Sequence, residues 1–351
     1  MATRSIHRIP TMLILLISAA LLLGCGLIGG GDGGEAPQGG PAPAPAPVPE
    51  GPRYVFVEDS PGTALSPIDA EAAALCDDSI RAAIDCLNRY DGQWPELAVS
   101  AYDPSRHHRA LERLTVEQQR VYLQMESALA SFGDYRIDDN ELSGGASTFL
   151  TAYDALMLDH PEFAIYSSIG YDWPYEVPVY FMPGKDGNTP SSDRAAVQQA
   201  ANHEIELYQA TIDRVIAKMP AGLSDSQKAL YLAAFLSYHC SYDQSGKAVL
   251  APWQPYTALV RRSAVCKGYA TAMQELMKAA GLESRVQTGT APSEGEHAWV
   301  SVETPEGTRY IDPTWMDDET TWPDMSWFLL DRGTMERAGY AFFPDDPNYN
   351  L

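Results

Sequence analysis

The spacing of apolar residues predicts that most of the folded part of the chain is helical. Within residues 70–87, apolar positions recur at the interval expected for one face of a helix. The same interval is found in four other stretches, which begin near Thr115, Ala195, Ser224 and Cys266. Two of these begin with the capping-box pattern, in which a Thr or Ser is followed three residues later by Gln. We therefore predict a mostly helical region over residues 53–221 and further helices after it.

The pattern changes towards the C-terminal end. Polar and apolar residues alternate from Glu296 to Val302, which is typical of a strand. A turn follows at 304–307, and the chain returns through 308–315. These segments predict an antiparallel hairpin, although the sequence does not determine its register.

Residues 1–24 have the organisation of a secretory signal peptide. A basic head precedes an apolar run from Met12 to Leu23, which is shorter than the roughly 20 residues of a membrane-spanning helix. The run ends at Leu22-Leu-Gly-Cys25, which resembles the lipobox of bacterial lipoproteins, and this implies that Cys25 is lipidated. An ordinary signal peptide with an incidental cysteine is the alternative.

Residues 25–52 are rich in Gly, Pro and Ala and cannot bury enough apolar surface to fold. We expect them to form an extended tether between the lipid anchor and the folded part. The predicted location is extracytoplasmic, on the cell membrane or the outer membrane.

The composition excludes one class of partner. The chain has 351 residues, of which 47 are acidic and 24 are basic, for a formal net charge of −23. Nucleic acid is not expected as a partner, because phosphate binding needs clustered Lys and Arg. The five cysteines include no CxxC pair and no cluster with zinc spacing. We expect neither a required metal nor a cofactor.

The cysteines of the upstream region leave two alternatives open. Cys76 and Cys86 lie in one predicted helix, and a continuous helix would hold them too far apart to bond. A break near Asp77 would permit a disulfide, whereas an unbroken helix would leave two buried thiols. Cys240 stands beside His239, but adjacent side chains on a helix point apart, so a structural thiol is favoured over a dyad.

Cys266 is the candidate nucleophile. It lies where a predicted helix begins, and the peptide dipoles at that end stabilise a thiolate. His297 and Asp312 fall on the two strands of the predicted hairpin, within a couple of residues of direct pairing. An imidazole that is held by a carboxylate and faces a thiol generates the ion pair used in acyl transfer. A small buried thiol without chemistry is the alternative for Cys266.

Three sequence blocks resemble a known family. The blocks Ala264-Val-Cys266-Lys-Gly-Tyr-Ala, His297-Ala-Trp299 and Asp312-Pro-Thr-Trp315 are similar, in this order, to the signature blocks of the transglutaminase-like superfamily. The resemblance covers about residues 224–327. It implies that residues 222–351 form a papain-like α+β domain, in which the nucleophile helix packs on an antiparallel sheet.

The same resemblance implies which residues act. Cys266, His297 and Asp312 would form the catalytic triad. Tyr256 aligns with an aromatic residue often found upstream of the nucleophile, and its hydroxyl is a candidate oxyanion donor.

The function implied is that of a cysteine enzyme which forms a thioester from a peptide amide and passes the acyl group to water or to an amine. A peptidase or amidase that acts on extracytoplasmic protein or cell-wall peptide is favoured, although the sequence does not decide between hydrolysis and transamidation. An inactive, surface-tethered module that binds protein or peptide is the alternative, because relatives of enzymes can be binding modules.

Overall fold

The computed structural model describes residue 54 and residues 67–90, 109–183, 189–244, 253–292, 295–317 and 323–343. The predicted signal peptide, Cys25 and the tether lie outside these residues. The helices are α1 (Pro67–Arg89), α2 (Arg109–Arg113), α3 (Val116–Ala130), α4 (Ala146–Asp159), α5 (Arg194–Lys218), α6 (Asp225–His239), α7 (Cys266–Ala279), α8 (Pro313–Met316) and α9 (Arg332–Arg337). The strands are β1 (Ile137–Asp138), β2 (Ser167–Asp172), β3 (Tyr175–Met182), β4 (Thr189–Pro190), β5 (Ser241–Tyr242), β6 (Ser263–Ala264), β7 (Ser284–Ala291), β8 (Gly295–Thr304), β9 (Gly307–Ile311) and β10 (Ala341–Phe342).

The two predicted capping boxes are both present and mark helix starts. The hydroxyl of Thr115 accepts from the backbone of Gln118 at the start of α3, and the Gln side chain reaches back to the backbone of the cap residue. Ser224 and Gln227 make the same reciprocal pair at the start of α6. These bonds satisfy N–H groups that lack partners within the first turn of a helix, which is why the sequence pattern locates the boundary well.

The upstream helices are joined to the rest of the protein by packing. α1 lies against α5 and α6, and α5 in turn contacts α7. A small antiparallel sheet in the order β1-β3-β2, with β4 paired to β3, also belongs to this region. The region therefore contains more strand structure than the helical spacing of its sequence predicts.

The cysteines of α1 are unpaired. α1 is continuous across Cys76 and Cys86, and both thiols are buried and free. Cys240 is also buried and free. Of the two alternatives that the sequence leaves open, the structure has the unbroken helix with two separate thiols.

The C-terminal part is an α+β fold, as predicted. Four antiparallel strands pair in the order β10-β7-β8-β9, and α7 packs on β7 and β8. The predicted hairpin is β8 with β9, whose register pairs Val300 with Ile311 and Thr304 with Gly307. This places the nucleophile helix against the sheet whose strands lead to His297 and Asp312.

No helix among the described residues is both long and apolar enough to span a membrane.

Gly289 on β7 allows β10 to approach closely. It lies opposite His297 in the register of β7 and β8. A Cβ atom at this position would lie 2.0 Å from the carbonyl oxygen of Ala341 and 2.7 Å from the ring of Trp299. Only a residue without a side chain lets the two strands and the Trp ring meet here.

We predict that Gly289→Ala lowers the free energy of unfolding by about 1–3 kcal/mol, the usual cost of overpacking. Denaturant unfolding measures the change. Gly133→Ala is the control, since a Cβ there would meet Ser131 at 3.2 Å and backbone at 3.5 Å. Equal losses in the two variants would contradict the proposed close approach.

Candidate active site

Cys266 is the first residue of α7. The residue before it, Val265, is the N-cap and makes no side-chain cap hydrogen bond. The first N–H groups of a helix have no acceptor within the helix, so they present positive charge to the thiol at this end. The side chain of Cys266 is partly exposed, which leaves it accessible to a substrate.

His297 and Asp312 form a buried pair. Nε2 of His297 lies 2.7 Å from Oδ2 of Asp312. The two residues are 3% and 0% exposed, so bulk water does not weaken the interaction. His297 comes from β8, and Asp312 directly follows β9, so the hairpin brings them together.

The carboxylate of Asp312 accepts four hydrogen bonds. Its Oδ1 accepts from the backbone N–H of Thr314 at 3.1 Å and of Trp315 at 3.2 Å, as the N-cap of α8. Its Oδ2 accepts from the hydroxyl of Tyr340 at 2.6 Å as well as from His297. These bonds replace the water that a buried carboxylate loses.

The imidazole of His297 links Asp312 to Cys266. Since Nε2 is occupied by Asp312, the hydrogen bond between His297 and the Cys266 side chain falls to Nδ1. Burial by itself lowers the pKa of His297, but the charge of Asp312 and the hydrogen bonds to Asp312 and Cys266 raise it well above its ordinary value. The site therefore favours an imidazolium beside the thiol, which is the partner a thiolate needs.

Aromatic rings enclose the imidazole. The ring centroids of Trp299, Trp315 and Tyr340 lie 6.1 Å, 5.7 Å and 6.2 Å from that of His297. Trp299 is fully buried and belongs to the core, whereas Trp315 is only partly buried. Aromatic side chains thus shield the His297 and Asp312 pair from solvent, whereas Cys266 remains partly exposed to solvent.

A comparison with known families decides the assignment. Residues 212–331 match the model of the transglutaminase-like superfamily, and this segment contains all three residues of the Cys266, His297 and Asp312 arrangement. This segment is similar to a transglutaminase-like domain. The resemblance carried by the three sequence blocks is confirmed over this segment.

Solved structures give weaker likenesses. One is a proposed cysteine protease from Cytophaga hutchinsonii, 16% identical with a TM-score of 0.26, matched over 40% of this chain and 46% of that one. Another is described as a TGase, 16% identical with a TM-score of 0.25, matched over 61% of this chain and 58% of that one. The chain thus spans about half the length of each. No curated protein matches it.

Tyr256 does not fit the role of oxyanion donor that we expected. Its hydroxyl donates to Oε2 of Glu204 on α5 at 2.7 Å, and Arg261 also pairs with Glu204. The hydroxyl hydrogen is thus committed to a carboxylate and is not available to a tetrahedral oxyanion. The backbone N–H of Cys266, at the start of α7, has no acceptor within the helix.

Tyr340 contacts the site, and the sequence analysis did not single it out. It lies beyond the family match, in a segment without a motif, and only the folded chain brings its hydroxyl to Asp312. No sequence signal that we recognise would have identified it.

The neighbouring His239 and Cys240 do not form a second dyad. Nε2 of His239 hydrogen-bonds the carbonyl oxygen of Leu259 at 2.7 Å, and burial lowers the pKa of His239 to about 4. Burial raises the pKa of Cys240 to about 12. Cys240 is a buried, free thiol, which agrees with the structural thiol that the sequence favoured.

The described residues contain no group of three or more His, Cys, Asp or Glu side chains arranged to hold a metal ion.

We predict that Cys266 is the cysteine of the described residues that iodoacetamide modifies in the native protein at pH 7. Cys76, Cys86 and Cys240 are buried, and burial raises the pKa of each to about 12. Peptide mapping after timed labelling gives the rate for each site, with Cys25 read separately. All four should react once the chain is unfolded in urea. Native labelling of a helix α1 cysteine at the rate of Cys266 would contradict the prediction.

Proposed function

We propose that this protein is an extracytoplasmic cysteine enzyme that acts on peptide amide bonds through a thioester on Cys266. The observation that carries the proposal is the buried Asp312 and His297 pair, hydrogen-bonded to a partly exposed thiol at a helix start. Neither the buried Asp312 and His297 pair nor the partly exposed thiol would by itself indicate catalysis. The three together supply a nucleophile, a proton carrier and a group that orients the carrier.

In the first half-reaction, Sγ of Cys266 attacks the carbonyl carbon of the amide. Negative charge develops on the carbonyl oxygen, where the N–H of Cys266 can donate. His297 then gives its Nδ1 proton to the amide nitrogen. The C–N bond breaks, the amine leaves, and the acyl group remains on Cys266 as a thioester.

In the second half-reaction, water or a second amine attacks the thioester. His297, now neutral, takes a proton from the attacking group, and the C–S bond breaks to release an acid or a new amide. Sγ departs as a thiolate, so the thiolate and imidazolium pair is restored. Asp312 keeps its negative charge throughout and stabilises the imidazolium on each occasion that it forms.

Hydrolysis is the outcome that we favour. Water attacks the thioester unless the groove excludes it, and Cys266 is partly exposed in the described part of the chain. We therefore propose a peptidase or amidase whose substrate is an extracytoplasmic protein or a cell-wall peptide. Transfer to an amine shares the thioester and differs only in the second nucleophile.

Anchoring is part of the same proposal. A lipid on Cys25 and the Gly-, Pro- and Ala-rich residues 25–52 would hold the enzyme at the membrane while the domain reaches its substrate. The proposal rests on the sequence of the first 52 residues, which lie outside the described part of the chain.

We predict that incubation with peptide substrates gives an acyl adduct on Cys266, detected by intact-protein mass spectrometry after acid quenching. Cys266→Ala should abolish both adduct and turnover, and His297→Ala should lower turnover by at least about 10³-fold, the scale seen when a triad member is removed. Cys240→Ala is the matched control, since it removes a thiol outside the site. An added primary amine separates the outcomes, because the product mass shows whether water or the amine attacked.

Full turnover by Cys266→Ala would rule out the mechanism. A folded wild-type protein whose Cys266 reacts with iodoacetamide no faster than Cys240 would instead favour the binding module.

We predict that Cys25→Ala moves the protein from the membrane fraction of cells to the soluble fraction or blocks its processing. Mass spectrometry of the N-terminal peptide should show a diacylated or triacylated Cys25 in the wild type. Cys86→Ala, which removes a buried thiol of the folded part, should leave the distribution unchanged. An unmodified Cys25 in membrane-bound protein would contradict the lipid anchor.

A further inference from the structure

Tyr340 reaches the active site from outside the matched domain. The family match ends at residue 331, and Tyr340 lies on the connection between α9 and β10. Its hydroxyl donates to Oδ2 of Asp312 at 2.6 Å, the same oxygen that lies 2.7 Å from Nε2 of His297. One carboxylate oxygen is thus shared between the imidazole and a phenol.

The backbone around Tyr340 is well defined. Gly339 has a φ of +99°, and the N–H of Tyr340 donates to the carbonyl of Met335 at 3.0 Å, which closes the end of α9. The next two residues form β10 and pair with β7 beside Gly289. These contacts hold the side chain of Tyr340 at 3% exposure in the aromatic cluster.

We propose that Tyr340 is a positioning residue of the catalytic centre, whose hydroxyl holds the Asp312 carboxylate in the orientation that faces His297. This inference rests on the proposed function, because it assigns Tyr340 a role in the same thiolate and imidazolium chemistry.

The hydrogen bonds of Asp312 explain why the hydroxyl matters. Both backbone donors, the N–H groups of Thr314 and Trp315, bind Oδ1. Oδ2 instead bonds two side chains, those of His297 and Tyr340. The phenol hydrogen bond therefore restricts the rotation of the carboxylate about its last bond and stabilises charge on the oxygen that faces the imidazole. His297 and Tyr340 are also ionisable side chains that these hydrogen bonds bring against Asp312.

The ring of Tyr340 makes packing contacts, whereas its hydroxyl makes the hydrogen bond to Asp312. The ring packs edge-on against Trp299, with centroids 5.1 Å apart at 86°, and against His297 at 6.2 Å. Phenylalanine would keep these contacts, so Tyr340→Phe removes the hydrogen bond alone. A role limited to packing would survive that change.

The test is the pH profile of iodoacetamide alkylation at Cys266 in the full chain, read by peptide mapping. We expect Tyr340→Phe to slow alkylation at neutral pH by about ten- to a hundredfold, the scale of one lost hydrogen bond to a buried charge. We also expect the acidic limb of the profile to move to higher pH. Without the phenol the Asp312 carboxylate is held less firmly against His297, and it stabilises the imidazolium that accompanies the thiolate less well.

Tyr310→Phe is the matched control. Tyr310 is buried in the same cluster, with its ring centroid 5.0 Å from that of Phe342, and its hydroxyl bonds Arg332 rather than Asp312. We expect its alkylation profile to coincide with that of the wild type. Thermal unfolding of both variants checks that each is folded.

A second comparison identifies the route of the effect. In an Asp312→Ala background, removal of the Tyr340 hydroxyl should change the alkylation of Cys266 no further, because the two residues act through one hydrogen bond. This comparison of Asp312→Ala with the double variant also serves if Tyr340→Phe alone does not fold. An additional loss in the double variant would overturn the inference.

The inference also fails if Tyr340→Phe has the wild-type rate and acidic limb, or if it slows alkylation equally at every pH. Those results would leave the proposed function intact, since wild-type Cys266 would still react fast. A wild-type Cys266 as slow as Cys240 would reject the proposed function, and with it the role of Tyr340.

Discussion

The hydrogen bond between Asp312 and His297 is the interaction on which the site depends. A carboxylate with no exposed surface is costly to bury, and it persists here because four donors surround it. The four donors come from three structural features: two from the start of α8, one from strand β8 and one from the segment that leads into β10. The active site is therefore also a junction, at which three parts of the fold are tied to one side chain.

The helix that carries Cys266 is also connected to α8, the helix that Asp312 caps. One turn into α7, the hydroxyl of Tyr269 donates to Asp317, which directly follows α8. The helix that carries Cys266 and the short helix capped by Asp312 are thus connected by a hydrogen bond as well as by packing. Small changes in α8 should reach both the thiol and the imidazole, because neither is held by an isolated loop.

The sequence predicts the features that depend on residues close together in the chain. It does not predict contacts between residues that are far apart in the chain. The capping boxes of α3 and α6, the β8 and β9 hairpin and the helix start at Cys266 each depend on residues near one another in the chain, and each was predicted. The hydroxyl of Tyr256 donates to Glu204, which is 52 residues away in the chain, and no local sequence pattern predicts this hydrogen bond. Tyr340 was missed for the same reason, since it meets Asp312 only after β10 docks beside Gly289. The small sheet of β1 to β4 was not predicted, and two of its strands, β1 and β4, have only two residues each.

The protonation state of His297 is the most direct test of the central claim that Asp312 holds an imidazolium beside Cys266. The chain has seven histidines, and ring NMR shifts of labelled protein, assigned with a His297→Gln variant, would report on this one. We expect His297 to remain protonated at about pH 7.5, where an ordinary histidine with a pKa near 6.5 is mostly neutral. Burial acts against the charge, but Asp312 and Cys266 outweigh it. A neutral His297 at that pH would contradict the claim.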